Sequence, residues 1–442
     1  MSKKVAMAKS PLSDMVRRHK AGEHTGITSV CSAHPIVLEA AIAHAAHTGR
    51  AVLIEATSNQ VDQTGGYTRM RPADFRQLVL DLADRFELPH ERVVLGGDHL
   101  GPNRWRALPP DQAMAMADDL VRAYVAAGFS KIHLDCSFSC DGDPTPLTDE
   151  LVAARTARLV AVAEQAVTER DDGPALRYVI GTEVPVPGGA HEKLHQLTPT
   201  TTAAAQETLR AHREAFEAAR VDHVWPQVMA LVVQPGVEFD HEQVISFIPE
   251  SASELSTVLD NEPDMVFEAH STDYQGEAAL TQMVARHWAV LKVGPQLTFA
   301  LREALFALAA VEEELLPPEA CSQLREVLEE QMLAEPGDWE GYYHGSPIQQ
   351  RVLRRYSYSD RLRYYWPNPS VQHSQDVLLA NLTSIAIPLT LLSQYLPQQY
   401  ERVRDGLLTN SARELVLDHV TNVLRHYDRA CSPDAQTQQS RP

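Results

Sequence analysis

Carboxylates, imidazoles, an amide and a lysine recur at the ends of short apolar runs in the first two thirds of this 442-residue chain. One run ends Gly96-Gly97-Asp98-His99 and another reads Lys131-Ile132-His133-Leu134-Asp135-Cys136-Ser137. Others end in Glu183, in Gln234-Pro235-Gly236-Val237-Glu238 and in Glu268-Ala269-His270-Ser271-Thr272-Asp273. A two-residue period puts His133, Asp135 and Ser137 on one face of their run, Glu268 and His270 on one face of theirs, and Lys292 with Gly294. Glu55, followed by Ser58-Asn59-Gln60, belongs to the same series. So many ionisable groups at equivalent places are costly to bury without a purpose, since each needs a partner. His99, His270 and Glu183 together make two imidazoles and a carboxylate, the donor set of a catalytic divalent-metal site that keeps a position open for substrate. Gln234, Asp135 and Glu238 are candidates to complete that shell, and Asp98 is placed to act as acid or base beside it. Two structural alternatives stand beside these readings. Glu183 can pair with Lys292 in a buried ion pair, and His133 reads as a hydrogen-bonded supporting histidine.

The elements that must position these groups follow from the alternation of apolar runs and helical patterns. Strands are expected at Gly26–Cys31, Ala51–Glu55, Val93–Gly97, Lys131–Asp135, Tyr178–Glu183, Val228–Gln234, Met265–His270 and Ala289–Val293. Helices are expected between them at Pro35–His47, Pro72–Phe86, Gln112–Ala127, Leu151–Thr168, Thr202–Ala219, Glu250–Leu259, Glu277–His287 and Leu297–Leu315. Eight such units in succession predict a (β/α)8 TIM barrel over residues 1–315, whose site lies at the C-terminal ends of the strands. An open doubly wound sheet is the rival, but Ser29-Val30-Cys31-Ser32-Ala33-His34-Pro35 is not the glycine-rich turn such a sheet carries after its first strand. From Pro317 the strand-like runs stop. A helical C-terminal domain is expected over residues 316–431, with helices near Ala320–Leu333, Val377–Leu396 and Ser411–His426, the middle one broken at Pro388. The polar tail, residues 432–442, reads as disordered.

Net charge is −20, which argues against sequence-independent nucleic-acid binding but not against one local positive pocket. No P-loop, kinase glycine loop or kinase catalytic-loop signature occurs, so a kinase reading is unsupported and is rejected. The stretch Met1–Ser10 lacks the apolar core of a secretory leader, and no apolar run is long enough to span a bilayer. Five cysteines suit a reducing cytoplasm, the expected location. Cys136 and Cys140 read as plain thiols, because a structural zinc site needs a second ligand pair that does not follow.

The stretches SVCSAHP, VLIEATSNQVDQTGGYT, LGGDHLGPN, GFSKIHLDCS, YVIGTEVPVPGG and VVQPGVEFDH continue with FEAHSTDYQ, LKVGPQLTFALREALFAL, YSYSDRLRYYWP and LSQYLPQQYERV. In these, from about Met15 to Tyr427, the sequence resembles the Z components of bacterial D-tagatose-1,6-bisphosphate aldolase. The resemblance implies a barrel of the class II aldolase superfamily and a divalent ion, zinc, manganese, nickel or cobalt. By motif, His99 and His270 match metal histidines, Glu183 a carboxylate of the metal region and Asp98 the neighbouring acid/base. Where aldolases proper carry a further histidine, this chain has Gln234-Pro235-Gly236. Related members epimerise ketoses at C4. The implied activity is therefore tagatose/fructose 4-epimerisation, on the free ketose or its phosphate, by opening and closing C3–C4. Asp98 would be the base, with Glu183, Asp135 and Lys292 as further catalytic groups. Ser32, Glu55, Asn59, Ser137, Glu268, Ser271 and Asp273 are the expected sugar contacts. Arg361 and Arg363, in an aromatic stretch expected over the mouth, are the expected phosphate contacts. The alternative is a non-catalytic subunit that stabilises and activates a Y-type aldolase partner. A homo-oligomer is expected in either case.

Overall fold

A computed structural model describes residues 10–170, 173, 175–181 and 197–432. Glu183 and the tail from 433 onward lie outside these residues. Among the described residues ten strands occur: β1 (Ile27–Cys31), β2 (Val52–Thr57), β3 (Val93–Leu100), β4 (Lys131–Leu134), β5 (Arg177–Ile180), β6 (Val228–Val232), β7 (Glu238–Phe239), β8 (Val244–Ile245), β9 (Val266–Ala269) and β10 (Trp288–Val293). Eight close into a parallel barrel in the order β1-β2-β3-β4-β5-β6-β9-β10, while β7 and β8 form a small antiparallel hairpin after β6. The chain is a (β/α)8 barrel with a helical C-terminal region, and the open sheet is excluded by the pairing of β1 with β10.

Most expected helices occur within a residue or two of their predicted ends, among them Pro35–Thr48, Asp149–Glu169 and Pro295–Leu315. Glu250–Leu259 is a correction. In place of one helix it holds short turns, Pro249–Ala252, Ser253–Ser256 and Thr257–Asn261. Val377–Leu396 is broken at Pro388 as expected, into Pro369–Thr383 and Leu389–Tyr395, with Pro388 capping the second, as a residue lacking an N–H dictates.

The inward side chains stack in layers along the barrel axis, as the two-residue period requires. The lowest is apolar: Leu53, Val94, Val179, Ala230, Val266 and Val290 meet Leu12, Met15 and Val16 of the helix Pro11–Lys20, which plugs the N-terminal end. One pleat higher come Glu55, Lys131, Glu268 and Lys292, all buried. Gly96 belongs to this layer because Glu55 crosses it: a Cβ there would lie 2.7 Å from the Glu55 Cγ. The uppermost layer carries Asp98, His133 and His270.

The C-terminal helices extend the barrel's own hydrophobic core. Leu378, Leu415, Val420 and Tyr427 pack in one continuous cluster with Leu297, Leu301 and Ile42 of the barrel helices. The last helix, Ala412–Cys431, reaches the barrel floor, where the Gly26 N–H donates to the Cys431 carbonyl at 2.9 Å. Among the described residues no helix is long and apolar enough to cross a membrane. Cys136 and Cys140 are free thiols.

Candidate active site at the barrel mouth

β3 brings two adjacent residues to one site by bending. His99 adopts φ +50°, and the β3–β4 register shifts between Gly97 and Leu100. A non-glycine residue in this region costs roughly 1–3 kcal/mol and persists where the surroundings enforce it. The consequence is that Asp98 and His99, which a regular strand would send to opposite faces, both meet His133 and His270. One ligand atom from each of these four buried residues lies within 4.8 Å of the others.

The outer nitrogens of the imidazoles are fixed by carboxylates. His99 Nδ1 donates to Asp135 Oδ2 at 2.7 Å, His133 Nδ1 to Asp98 Oδ1 at 2.8 Å and His270 Nε2 to Glu268 Oε1 at 3.1 Å. This leaves Nε2 of His99, Nε2 of His133 and Nδ1 of His270 as lone-pair donors, and His270 Nδ1 is buried with no partner. A carboxylate behind each ligating histidine is the usual support of a metal site.

Below the imidazoles lies a buried ion network. Lys131 Nζ bridges Glu55 at 2.8 Å and Glu268 at 2.7 Å. Lys292 Nζ contacts Asp98, Glu268 at 3.3 Å and Glu55 at 3.7 Å. Burial opposes both ammonium charges, but the surrounding carboxylates outweigh it and hold both lysines above their ordinary proton affinity. Burial likewise pushes Asp98 up, yet His99, Lys292 and His133 together keep it well below the carboxylate range. Burial alone leaves His270 neutral, its pKa brought down to about 3 and further disfavoured by Lys292. Counting Glu55, Glu268, Asp98 and Asp135 against Lys131 and Lys292, the centre is short of two positive charges when its histidines are neutral. Donor types, orphaned nitrogen and charge all fit a divalent cation.

Above this centre is a cavity of about 290 Å³. Of the residues singled out from the sequence, Ser32, Asn59, Asp98, His99, His270, Ser271, Asp273, Lys292 and Arg363 line it. Others are set apart. Glu55 and Glu268 lie in the ion network beneath. Asp135 holds His99 and accepts from Ser137, whose hydroxyl is spent at 2.5 Å on that carboxylate. Gln234, expected as a ligand, instead turns its Oε1 onto the N–H groups of Gly236 (2.8 Å) and Val237 (2.9 Å), where it shapes its own loop. Arg361 is the clearest correction: its guanidinium stacks on Tyr342, 3.4 Å from the ring centroid, and donates to the Asp338 carbonyl, away from the cavity. Glu183 lies outside the described residues.

His133, expected as a hydrogen-bonded supporting histidine, does bond Asp98, and it also brings one ring nitrogen into the group of four. The signal was there, a histidine two residues before Asp135 on the inward face, but periodicity cannot separate a ligand from its support. Of the aromatic stretch expected over the mouth, Tyr364 and Trp366 line the cavity. What sequence reasoning missed is the helix that follows, Pro369–Thr383, whose Gln372 and Gln375 line it as well. Trp366 sits edge-on to His34, with ring centroids 5.7 Å apart. No local pattern announces a helix surface as a lid.

Comparison with known proteins agrees with this architecture. A crystal structure described as a probable tagatose 6 phosphate kinase from Sinorhizobium meliloti 1021 is 50% identical, covers 92% of this chain and 100% of its own, and superposes with a TM-score of 0.85. More distant are the YdjI aldolase from Escherichia coli K12 (10% identity, 82% of this chain and 94% of its own, TM-score 0.42) and a fructose-bisphosphate aldolase from Campylobacter jejuni (14%, 84% and 91%, 0.43). The family model for the D-tagatose-1,6-bisphosphate aldolase subunit GatZ/KbaZ-like proteins matches residues 12–432, nearly the whole chain, and the protein therefore belongs to that family.

Proposed function

We propose that the chain is a metal-dependent ketose 4-epimerase that works by opening and re-forming C3–C4, interconverting tagatose and fructose skeletons. The observation that carries this reading is the convergence of Asp98, His99, His133 and His270 at the foot of the cavity, beside Lys292. A divalent ion held by the three imidazoles, with Asp98 or Glu183 as further donors, would supply Lewis acidity toward vicinal ketose oxygens.

The chain's own groups do the rest. Asp98 is unprotonated and takes the proton of the C4 hydroxyl as the C3–C4 bond breaks, leaving a three-carbon enediolate and an aldehyde. Lys292, held charged next to Asp98, offsets the negative charge that develops on the enediolate. A Schiff-base role for Lys292 is disfavoured, because a nucleophilic amine needs a depressed pKa and this one is raised. Roofed by Tyr364 and Trp366, the cavity retains the aldehyde while it turns. Re-addition to its other face restores the bond, and Asp98 returns the proton, so the reaction consumes none. Asn59, Gln60, Asn103, Gln372 and Gln375 offer the amides that a polyol needs.

The test is NMR of tagatose and fructose, free and as 6-phosphates, with purified protein stripped of metal and then given Mn²⁺, Zn²⁺ or Ni²⁺. Conversion is expected only with metal, and His99→Ala and His270→Ala should lose both metal and conversion while staying folded. Near-normal turnover by the stripped protein would refute the metal role. A second reading is supported by the family's description as an aldolase subunit: a chain that stabilises and activates a Y-type partner. It predicts that a His99→Ala/His270→Ala double variant still activates that partner, and that wild type alone converts no ketose.

A further inference from the structure

Resting on that reading, we infer that the end of the cavity at the C-terminal ends of β9 and β10 takes an uncharged, hydroxyl-bearing terminus of the ketose, and that Asp273 is the residue that excludes a phosphate there. In (β/α)8 barrels a phosphate commonly binds where the loops after the last two strands meet a helix N-terminus, whose free N–H groups and dipole favour an anion. Here the corresponding helix is Pro295–Leu315, and Gly294 and Pro295 at its start line the cavity. Its anion position is already filled by the protein. Asp273 Oδ1 accepts the N–H of Gly294 at 2.9 Å and of Gln296 at 2.8 Å, and Pro295 has no N–H to offer.

The hydroxyls that would help hold a phosphate are spent as well. Ser271 Oγ donates to Glu238 at 3.1 Å and Thr298 Oγ1 to Asp360. Among the described residues lining this end, the two fixed cations are also engaged. Lys292 is held by three carboxylates. Arg363 donates to the Ser359 and Asp360 carbonyls and to the Tyr364 hydroxyl. A carboxylate that lines the cavity and is only 2% exposed repels a phosphate dianion but accepts a hydrogen bond from a neutral hydroxyl. A desolvated like-charge contact of this kind costs several kcal/mol, about a hundredfold in affinity.

A ketose 1,6-bisphosphate is the decisive probe, because either orientation puts a phosphate at one terminus or the other. Titration calorimetry on the metal-loaded protein should show free fructose or tagatose binding about a hundredfold more tightly than the bisphosphate. Asp273→Asn keeps the acceptor for Gly294 and Gln296 and removes only the charge, so the gap should narrow at least about tenfold. Bisphosphate binding as tight as that of the free sugar, or a gap unmoved in Asp273→Asn, would overturn the inference. Inorganic phosphate separates this outcome from failure of the epimerase reading. If no sugar binds, the catalytic reading falls. Asp273 is still judged by whether phosphate, weak on wild type, binds at least about tenfold more tightly to Asp273→Asn, and equal binding would reject its role.

Discussion

Lys131 touches no substrate-facing surface, yet the arrangement of the centre depends on it, and Lys131→Met measures how much. Its ammonium is fully buried between Glu55 and Glu268, and Glu268 in turn orients His270. Methionine keeps the length of the stem and removes the charge, which leaves two buried carboxylates facing each other with Lys292 alone to answer both. Removing one partner of a buried ion pair costs about 3–5 kcal/mol. At about 2.1 cal/mol/K per residue, the unfolding entropy of a chain this long makes 4 kcal/mol a fall of about 4–5 °C in Tm. The sign of the pH dependence follows. In the variant the orphaned carboxylates have raised proton affinity, so the loss is full at pH 8 and shrinks as pH falls through their raised pKa values. A divalent ion supplies positive charge nearby, so Mn²⁺ should raise the variant's Tm by more than it raises that of wild type. Scanning calorimetry at pH 8 and pH 5.5, with and without the ion, reads all three effects. An unchanged Tm at pH 8, or a loss that grows on acidification, would show that Lys131 does not hold the network together.

Asp98→Asn should keep bound metal but lose about 10²–10⁴ in kcat, the usual worth of a positioned acid or base; ordinary rates would move the base to another carboxylate. Arg363→Ala should raise KM for a free ketose, because it removes a side chain from the cavity wall, whereas Arg361→Ala should lower Tm and leave KM unchanged. His19, whose ring bonds to the Thr25 carbonyl (2.8 Å) and to His287 (2.9 Å), is brought down from 6.5 to about 4, chiefly by burial. Its folded pKa lies below its unfolded one, so stability present above 6.5 is lost as pH falls toward 4, and His19→Gln should flatten that part of the Tm profile. A profile as steep as that of wild type would place the acid sensitivity elsewhere.

What was legible in the sequence followed the rules of local periodicity. Strands buried on both faces read as apolar runs, and their inward residues fall at every second position, so Glu268 with His270, and Lys292 with Gly294, could be placed on one face before any contact was known; Lys131, two residues before His133 on the same face, was overlooked. What failed was whatever depends on which partner a side chain finds, near or distant in sequence. Gln234 had the right position and type for a ligand, but two N–H groups of its own loop claim its oxygen. Arg361 and Arg363 are two residues apart and chemically identical, yet one faces Tyr342 and the other the cavity. The bend at His99 is the most instructive case. A strict strand period sends Asp98 and His99 to opposite sides, and only the left-handed residue lets both serve one site. Where a chain breaks its own period at a cost of roughly 1–3 kcal/mol, the surroundings must enforce the break. Here they do so through the two carboxylate–imidazole bonds, Asp98 to His133 and Asp135 to His99. The same bonds that aim the free nitrogens at one point therefore also hold the strained backbone. Strain and the geometry of the four-residue group are thus one feature, and His133, read from the sequence as a supporting histidine, is part of the clamp.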